Sequence, residues 1–576
     1  MKRTTKTALA ACAVTLIATT AFAAPYKFGV MADTQWIGAD DGYNPSSVPV
    51  DIIQQLNQQF INKGVKFVIQ VGDLSDSGGV TNEDFRAIFA QPLYNAGIGF
   101  FPFRGNHESS QTGGIEDVRI YPQTKTGQMC VTPGDVFSLT NADSAVQPFP
   151  VSTCTGSPFT VGSNFSTPDP SVTGSNDWRG LTYSFDYDNT RFVLLDQFTP
   201  VNKTGSNNPF ANAIDLQQSW IDSTLAGKPA NSHAFVFSHK GLITENHVDT
   251  LFGSNPSSDV AGQNAFITSL YNNGVRYYMN GHDHIHDRAL VSVTTGTPTD
   301  GVSPKVQNIT CASNSSKFYI PANPSNDTKY NVPAFGHTRQ AQVAQELNTV
   351  GYYLYSVDGP RVTVDYYSAV VNPTLASGEY LLSASSNTAS RFTPNMNFQK
   401  RETFGYSLNG KEFLVAQSTP YTIVTDSYAG TSAAILNGSN GSTAKDAVNR
   451  QYVKTVNTGW TDKGSDTISN VLSLWGMNDL GATSTDTFAL SVSFDPSITV
   501  NSSTINAGQV VALSTKDTNG NWVNAVDQNV GGRKRFILGA FNKAYPLGTY
   551  GVDPVAHTAW AVVNTTGSGQ FAVVQK

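Results

Sequence analysis

From Tyr26 to Phe103 the chain alternates short apolar runs with longer stretches whose apolar residues fall on one helical face, and this alternation most constrains the fold. The runs YKFGVMA (26–32), VKFVIQV (65–71) and IGFFPF (98–103) read as buried strands. Between the first two, Ile52, Ile53, Leu56, Phe60 and Ile61 share one helical face and Gly64 marks the stop. Between the second pair, Phe85, Ile88, Phe89 and Leu93 predict one continuous helix before Gly97, with Thr81 and Asp84 as its N-terminal box. Short links between such elements imply right-handed crossovers and a mostly parallel sheet. The theme returns in AFVFS (234–238) and VRYYM (275–279), separated by a helical stretch with Phe266, Ile267 and Leu270 that Asn272-Asn273-Gly274 closes. Two hairpins are expected, one turning at Asp188-Asn189-Thr190 and one at Asp358-Gly359-Pro360.

Each strand of this set runs into polar residues of one chemistry. The first leads to Asp33-Thr34-Gln35, the second to Gly72-Asp73, and the third to Gly105-Asn106-His107-Glu108. The two later strands lead to His239 and to Gly281-His282-Asp283-His284. A tight turn can be made from Gly and Asn alone, so His107 and Glu108 call for a chemical reason. In a parallel sheet the carboxyl ends of the strands lie along one edge, the usual place for a ligand site. The residues gathered there are oxygen and imidazole donors without a thiolate, which suits Zn, Mn or Fe. They are too numerous for one ion with open positions, whereas two ions sharing a carboxylate would sit roughly 3.5–4 Å apart and could flank a phosphoryl group.

In these motifs the sequence resembles the calcineurin-like metallophosphoesterase superfamily, whose ordered pattern is Asp-x-His, Gly-Asp, Gly-Asn-His-Asp/Glu, a lone His and Gly-His-x-His. The match runs over about residues 26–370. The resemblance implies a metallophosphoesterase-type four-layer α/β/β/α sandwich binding two divalent metal ions. It would give one ion Asp33, Asp73 and His284, and the other Asp73, Asn106, His239 and His282, with Asp73 bridging. Gln35 stands where the family most often has His, either as a ligand through its carbonyl oxygen or as a hydrogen-bond donor behind the ligands. The implied reaction is hydrolysis of a small phosphate ester, monoester before diester, by metal-bound hydroxide, with His107 assisting the leaving group and Glu108 orienting it. The segment from Gly281 to Arg288 also looks like the fifth motif of purple acid phosphatases. Those enzymes carry a tyrosine ligand three residues after the bridging aspartate, and here that position is Asp76.

Residues 1–23 combine a basic start, a short apolar centre and Ala21-Phe22-Ala23, the pattern of a cleaved signal peptide, so a secreted or periplasmic protein is expected. No later run is long enough to span a membrane. The 36 Lys and Arg against 43 Asp and Glu give a net charge of −7. Loss of Lys2, Arg3 and Lys6 with the signal leaves 33 against 43, or −10, which argues against non-specific nucleic-acid binding, and no specific nucleic-acid partner is expected. Of the cysteines outside the signal, Cys130 and Cys154 are the expected disulfide, Cys311 is the odd one, and buried free thiols are the alternative. The expected domains are a metallophosphoesterase domain over 24–372, with a loop-rich insertion at 109–180, and an all-β C-terminal domain over 373–576, where Ser, Thr, Asn, Gly and Val dominate. A different class of function is a secreted binding or adhesion protein with a degenerate phosphoesterase domain. The sequence does not specify the oligomeric state.

Overall fold

A computed structural model describes residues 24–37, 44–110, 113–114, 117, 121, 159–161, 178–198, 214–242, 247, 249–253, 259–293, 304–319, 340–370, 396–408, 411–414, 419–423, 432–439, 455–475, 487–506, 510–565 and 567–576. The expected signal, Cys130, Cys154 and most of the 109–180 insertion lie outside the described residues. Among the described residues, no helix is long and apolar enough to cross a membrane.

The first part of the chain builds two sheets. The elements of the first are β1 (Tyr26–Met31), α1 (Val50–Lys63), β2 (Phe67–Val71), α2 (Val80–Ile88), α3 (Gln91–Asn95) and β3 (Gly99–Phe103). Those of the second begin with β4 (Phe159–Val161), β5 (Tyr183–Tyr187), β6 (Thr190–Leu194), α4 (Gln218–Ala226), β7 (His233–Phe237), α5 (Val260–Asn272) and β8 (Tyr277–Asn280). It is completed by β9 (His286–Ser292), β10 (Lys305–Thr310) and β11 (Gln340–Glu346), after which β12 (Thr349–Asp358), β13 (Arg361–Val370) and β14 (Gln399–Ser407) return to the first sheet. The strand orders are β14-β13-β12-β1-β2-β3 and β11-β9-β10-β8-β7-β6-β5-β4. As expected, β1, β2 and β3 are parallel, as are β6, β7 and β8, and the hairpins β5–β6 and β12–β13 are antiparallel.

Aromatic side chains join the two sheets. Phe28 of β1 stacks on Tyr355 of β12 with centroids 4.6 Å apart and meets Phe235 of β7 edge-on at 5.3 Å. The outer face of the first sheet is covered by Ile52, Leu56 and Phe60 of α1 with Leu93 and Tyr94 of α3, and that of the second by Ile221 and Leu225 of α4 with Phe266 and Leu270 of α5. The result is the four-layer α/β/β/α sandwich, followed by further all-β sheets.

Three local details differ from the sequence reading. The helix expected to continue through Leu93 breaks after Ile88 and restarts at Gln91, because Pro92 cannot donate an interior helical hydrogen bond and is tolerated only in a first turn. Thr81 does not cap α2; Gly79 holds that position without a side-chain hydrogen bond. Beyond the expected boundary at 372, β14 pairs antiparallel with β13, so the chain leaves the first sheet after Ser407. Composition alone gives no sign of which sheet such a strand joins.

The C-terminal region packs two six-stranded sheets over a shared core that includes Trp460, Leu490, Leu513, Ala561 and Phe571. Arg361 of the β12–β13 hairpin donates to Ser473 Oγ at 2.7 Å and lies over the ring of Trp475, which joins this region to β13.

Candidate dinuclear metal centre

The turns after β1, β2, β3, β7 and β8 meet at one rim. Apolar strands stop there because the chain must turn back, and the reversals take unusual backbone shapes. Asp33, Asp73, His282 and His284 all have positive φ, at 51°, 48°, 74° and 50°. Each such residue costs about 1–3 kcal/mol, and strain of this kind collects at functional sites. Gly105 is equally constrained: a Cβ there would lie 2.0 Å from Asp73 Oδ1 and 2.4 Å from Asp73 N.

Two groups of donors result. Asp33, Asp73 and His284 offer atoms within 4.8 Å of one another, and so do Asp73, His239 and His282. Asp73 belongs to both. All five are buried, and Asn106 joins the second group through Oδ1, 3.0 Å from His239 Nε2.

The hydrogen bonds around these groups test whether cations fit. His239 Nδ1 donates to the Val71 carbonyl at 3.1 Å, so its other nitrogen, Nε2, points at two oxygens, Asn106 Oδ1 at 3.0 Å and Asp73 Oδ2 at 3.3 Å. Three acceptors facing one another repel unless a proton or a cation stands among them. Burial alone lowers the His239 pKa, but the Asp73 carboxylate outweighs it and pushes it up to about 9: the site calls for positive charge. His284 repeats the arrangement, with Nδ1 donating to the Lys317 carbonyl at 3.0 Å and Nε2 turned inward. His282 is the mirror case, with Nε2 at 3.2 Å from Asp249 Oδ1, which leaves Nδ1 for the interior. Burial lowers the pKa of His282 to about 3 and that of His284 well below the usual value, so both stay neutral and able to ligate. An imidazole held from behind by a carbonyl or carboxylate is the usual support of a metal ligand.

The carboxylates fit as well. Asp33 Oδ1 accepts the His282 N–H at 2.9 Å, while buried Oδ2 has no hydrogen-bond partner among the described residues. Burial raises the Asp33 pKa well above the carboxylate range. Burial acts in the same sense on Asp73, but His239 and His107 hold it well below that range. Gln35 points its Nε2 to Asp73 Oδ2 at 2.9 Å and lies 3.3 Å from His284 Nε2, with Oε1 buried and unpaired among the described residues. It therefore behaves as a donor toward the bridging carboxylate, and its Oε1 is the atom that an amide rotation would offer to a cation.

His107 sits at the mouth. Its Nδ1 donates to the Asp76 carbonyl at 2.5 Å, and its Nε2 lies 3.9 Å from Asp73 Oδ2 and 3.2 Å from Lys317 Nζ. Glu108 does not orient this ring. Its carboxylate accepts the N–H groups of Gly105 at 2.9 Å and Ser75 at 3.2 Å, and so ties the β3 turn to the β2 turn.

The remaining polar residues divide by what they touch. Arg104 forms a buried two-pronged pair with Asp196, at 2.6 and 2.8 Å, and Arg288 pairs with Glu402 at 2.6 Å. His286 is buried between Tyr353 and Glu402, and His233 lies at the start of β7, away from the strand ends that carry the site. Asp283 accepts from His247 Nδ1 at 2.7 Å, and the His247 ring stacks on that of His282 with centroids 4.0 Å apart. Sequence reasoning did not find His247, Asp249 or Tyr319, whose ring meets both His247 and His284. They lie in irregular segments, and their sole sequence signal is their chemistry.

Residues 26–286 match the sequence model of the calcineurin-like phosphoesterases. No curated protein matches the chain. Among solved structures, the chain is similar to GAP50, the anchor in the inner membrane complex of Plasmodium, at 13% identity and a TM-score of 0.35, over 64% of this chain and 90% of that one. It is similar to a purple acid phosphatase from yellow lupin seeds at 15% identity and a TM-score of 0.35, over 60% of this chain and 51% of that one. A dimetal phosphatase from Danio rerio shares 16% identity at a TM-score of 0.31, over 59% of this chain and 95% of that one.

Proposed function

From the match of residues 26–286 to the calcineurin-like phosphoesterases, we propose that the chain is an exported hydrolase of small phosphate esters, acting on monoesters before diesters. One observation carries the reading: Asp73 stands in both donor groups while His239 Nε2 faces two oxygens that require positive charge among them. Asp33, Asp73 and His284 would hold one divalent cation, and Asp73, Asn106, His239 and His282 the other, with Gln35 beside the first. Bound there, two such ions supply Lewis acidity toward phosphoryl oxygens and lower the pKa of a water molecule at the site.

The chain's own residues supply the rest. Val71 and Lys317 carbonyls and the Asp249 carboxylate fix which nitrogen of each histidine faces inward. Glu108 fixes the turn that presents Asn106 and His107. His107, anchored through Nδ1–H to Asp76, presents Nε2 to the leaving-group side, where a proton first taken up by Nε2 can pass to a departing oxygen. A monoester leaves three non-bridging oxygens for binding where a diester leaves two, which suits a site with two cation positions. The pattern of residues 1–23 supports export.

The test is elemental analysis of the purified protein together with turnover of an aryl phosphate and a bis-aryl phosphate. About two equivalents of Zn, Mn or Fe with faster monoester turnover is expected. Trace metal and no turnover of either ester would return the chain to a binding or adhesion role.

A further inference from the structure

We infer that Lys317 reads the charge of the substrate phosphate and thereby makes the site favour dianionic monoesters over monoanionic diesters. The inference rests on the phosphoesterase reading above and adds a residue that no family motif contains.

The protein is acidic overall, so a doubly charged phosphate needs local cations beyond any bound metal. The cationic side chains around the rim are already engaged: Arg104 by Asp196, Arg288 by Glu402, and Lys240 by Asp249. Their charges are neutralised in place, and these three side chains are at most 1% exposed. Lys317 is paired as well, with Asp76, but its side chain is 14% exposed and that of Asp76 26%, so this pair stands at the mouth where an incoming phosphate can compete with the carboxylate.

Lys317 Nζ lies 2.9 Å from Asp76 Oδ1 and 3.2 Å from His107 Nε2. Because His107 Nδ1–H is committed to the Asp76 carbonyl, Nε2 carries the lone pair, and the ammonium donates to it. Asp76 thus holds both groups, one by its backbone and one by its carboxylate. The ammonium is one contact from the group placed on the leaving side and two from the bridging Asp73.

The base of this side chain is held by hydrogen bonds. The Lys317 carbonyl accepts from His284 Nδ1 and from Ser313 Oγ, at 3.0 and 2.6 Å, and its N–H donates to Ser315 Oγ at 3.1 Å. The main chain of this residue thus supports a metal-ligand candidate while its side chain faces substrate. Replacing the side chain removes a charge and leaves the support of His284 in place.

That separation defines the experiment. Lys317→Met and Lys317→Arg are compared with the unaltered protein, each first assayed for bound metal. Calorimetry then measures inorganic phosphate binding at pH 8, and kcat and KM are measured for an aryl phosphate and a bis-aryl phosphate. With metal content retained, Lys317→Met is expected to weaken phosphate binding about tenfold and to lower the monoester-to-diester ratio of kcat/KM about tenfold, mainly through the monoester KM. Lys317→Arg, which keeps the charge, is expected to hold the ratio within about threefold of the unaltered protein. Unchanged phosphate affinity in Lys317→Met, or equal losses for both esters, would overturn the inference. So would a Lys317→Arg variant that loses as much selectivity as Lys317→Met. If the unaltered protein turns over neither ester and phosphate affinity still falls in Lys317→Met, the phosphoesterase reading fails while Lys317 stands as the anion-reading residue.

Discussion

Asp73 is the residue on which both donor groups depend, so its loss and that of His107 should separate cleanly. Asp73→Ala removes a ligand from both positions, and metal content and turnover are expected to fall together to trace. His107→Ala leaves both donor groups whole, and its expected signature is full metal content with kcat lowered about 10²–10⁴-fold. Elemental analysis beside aryl phosphate kinetics distinguishes them; equal metal content in the two variants would contradict the assignment. Gly105 is tied to the same carboxylate. Its Ala variant would force a methyl group to within 2.0 Å of Asp73 Oδ1, and we expect reduced metal content with about 1–3 kcal/mol of lost stability in denaturant titration.

Elements of both sheets meet at each end of the interface between them. At the site end, Arg104 follows β3 and Asp196 follows β6, and their pair joins the two sheets with both partners fully buried. Removing one partner strands a buried charge, so Asp196→Ala is expected to cost about 3–5 kcal/mol in denaturant unfolding, while a neutral pair of similar volume would cost less. At the opposite end, His233 of β7 bonds through Nε2 to the Gly359 carbonyl in the β12–β13 turn, and its Nδ1 lies 3.2 Å from the Tyr406 hydroxyl of β14. Burial lowers its pKa to about 4. Between pH 6.5 and 4 the unfolded chain therefore binds a proton that the folded chain refuses, so this residue's contribution is present above 6.5 and is lost as pH falls through that window. The loss amounts to about 2–3 kcal/mol. His233→Gln is expected to flatten that part of the stability profile, measured by denaturant titration from pH 7 to 4; an unchanged slope would count against the assignment.

At the scale of the whole chain, the phosphoesterase part and the C-terminal sandwich have separate cores joined by contacts such as Arg361 with Ser473 and Trp475. Cations bound at the rim would stabilise the first core by mass action and leave the second untouched. A chelator is therefore expected to lower the unfolding temperature of one calorimetric transition by several degrees while a second stays in place, and zinc or manganese should restore the first. A single transition unaffected by chelation would deny the coupling between metal and fold.

The sequence by itself determined which residues gather at the rim and which elements deliver them. Strand and helix periods are local, and Asp33, Asp73, Asn106, His239, His282 and His284 each announce themselves by following an apolar run. Gly64, which caps α1 at φ 66°, was legible for the same reason. The tertiary structure alone decided what these residues touch. Glu108 braces a turn and leaves His107 to Asp76 and Lys317, Gln35 turns its amide nitrogen to Asp73, and β14 crosses the compositional boundary to join β13. Asp249 and Lys317 sit in irregular segments where no period marks them, yet they stand directly behind His282 and beside His107. The physical reason is range: backbone preference and hydrophobic period act over a few neighbours along the chain, whereas hydrogen bonds and charge act between groups that folding brings together from segments far apart.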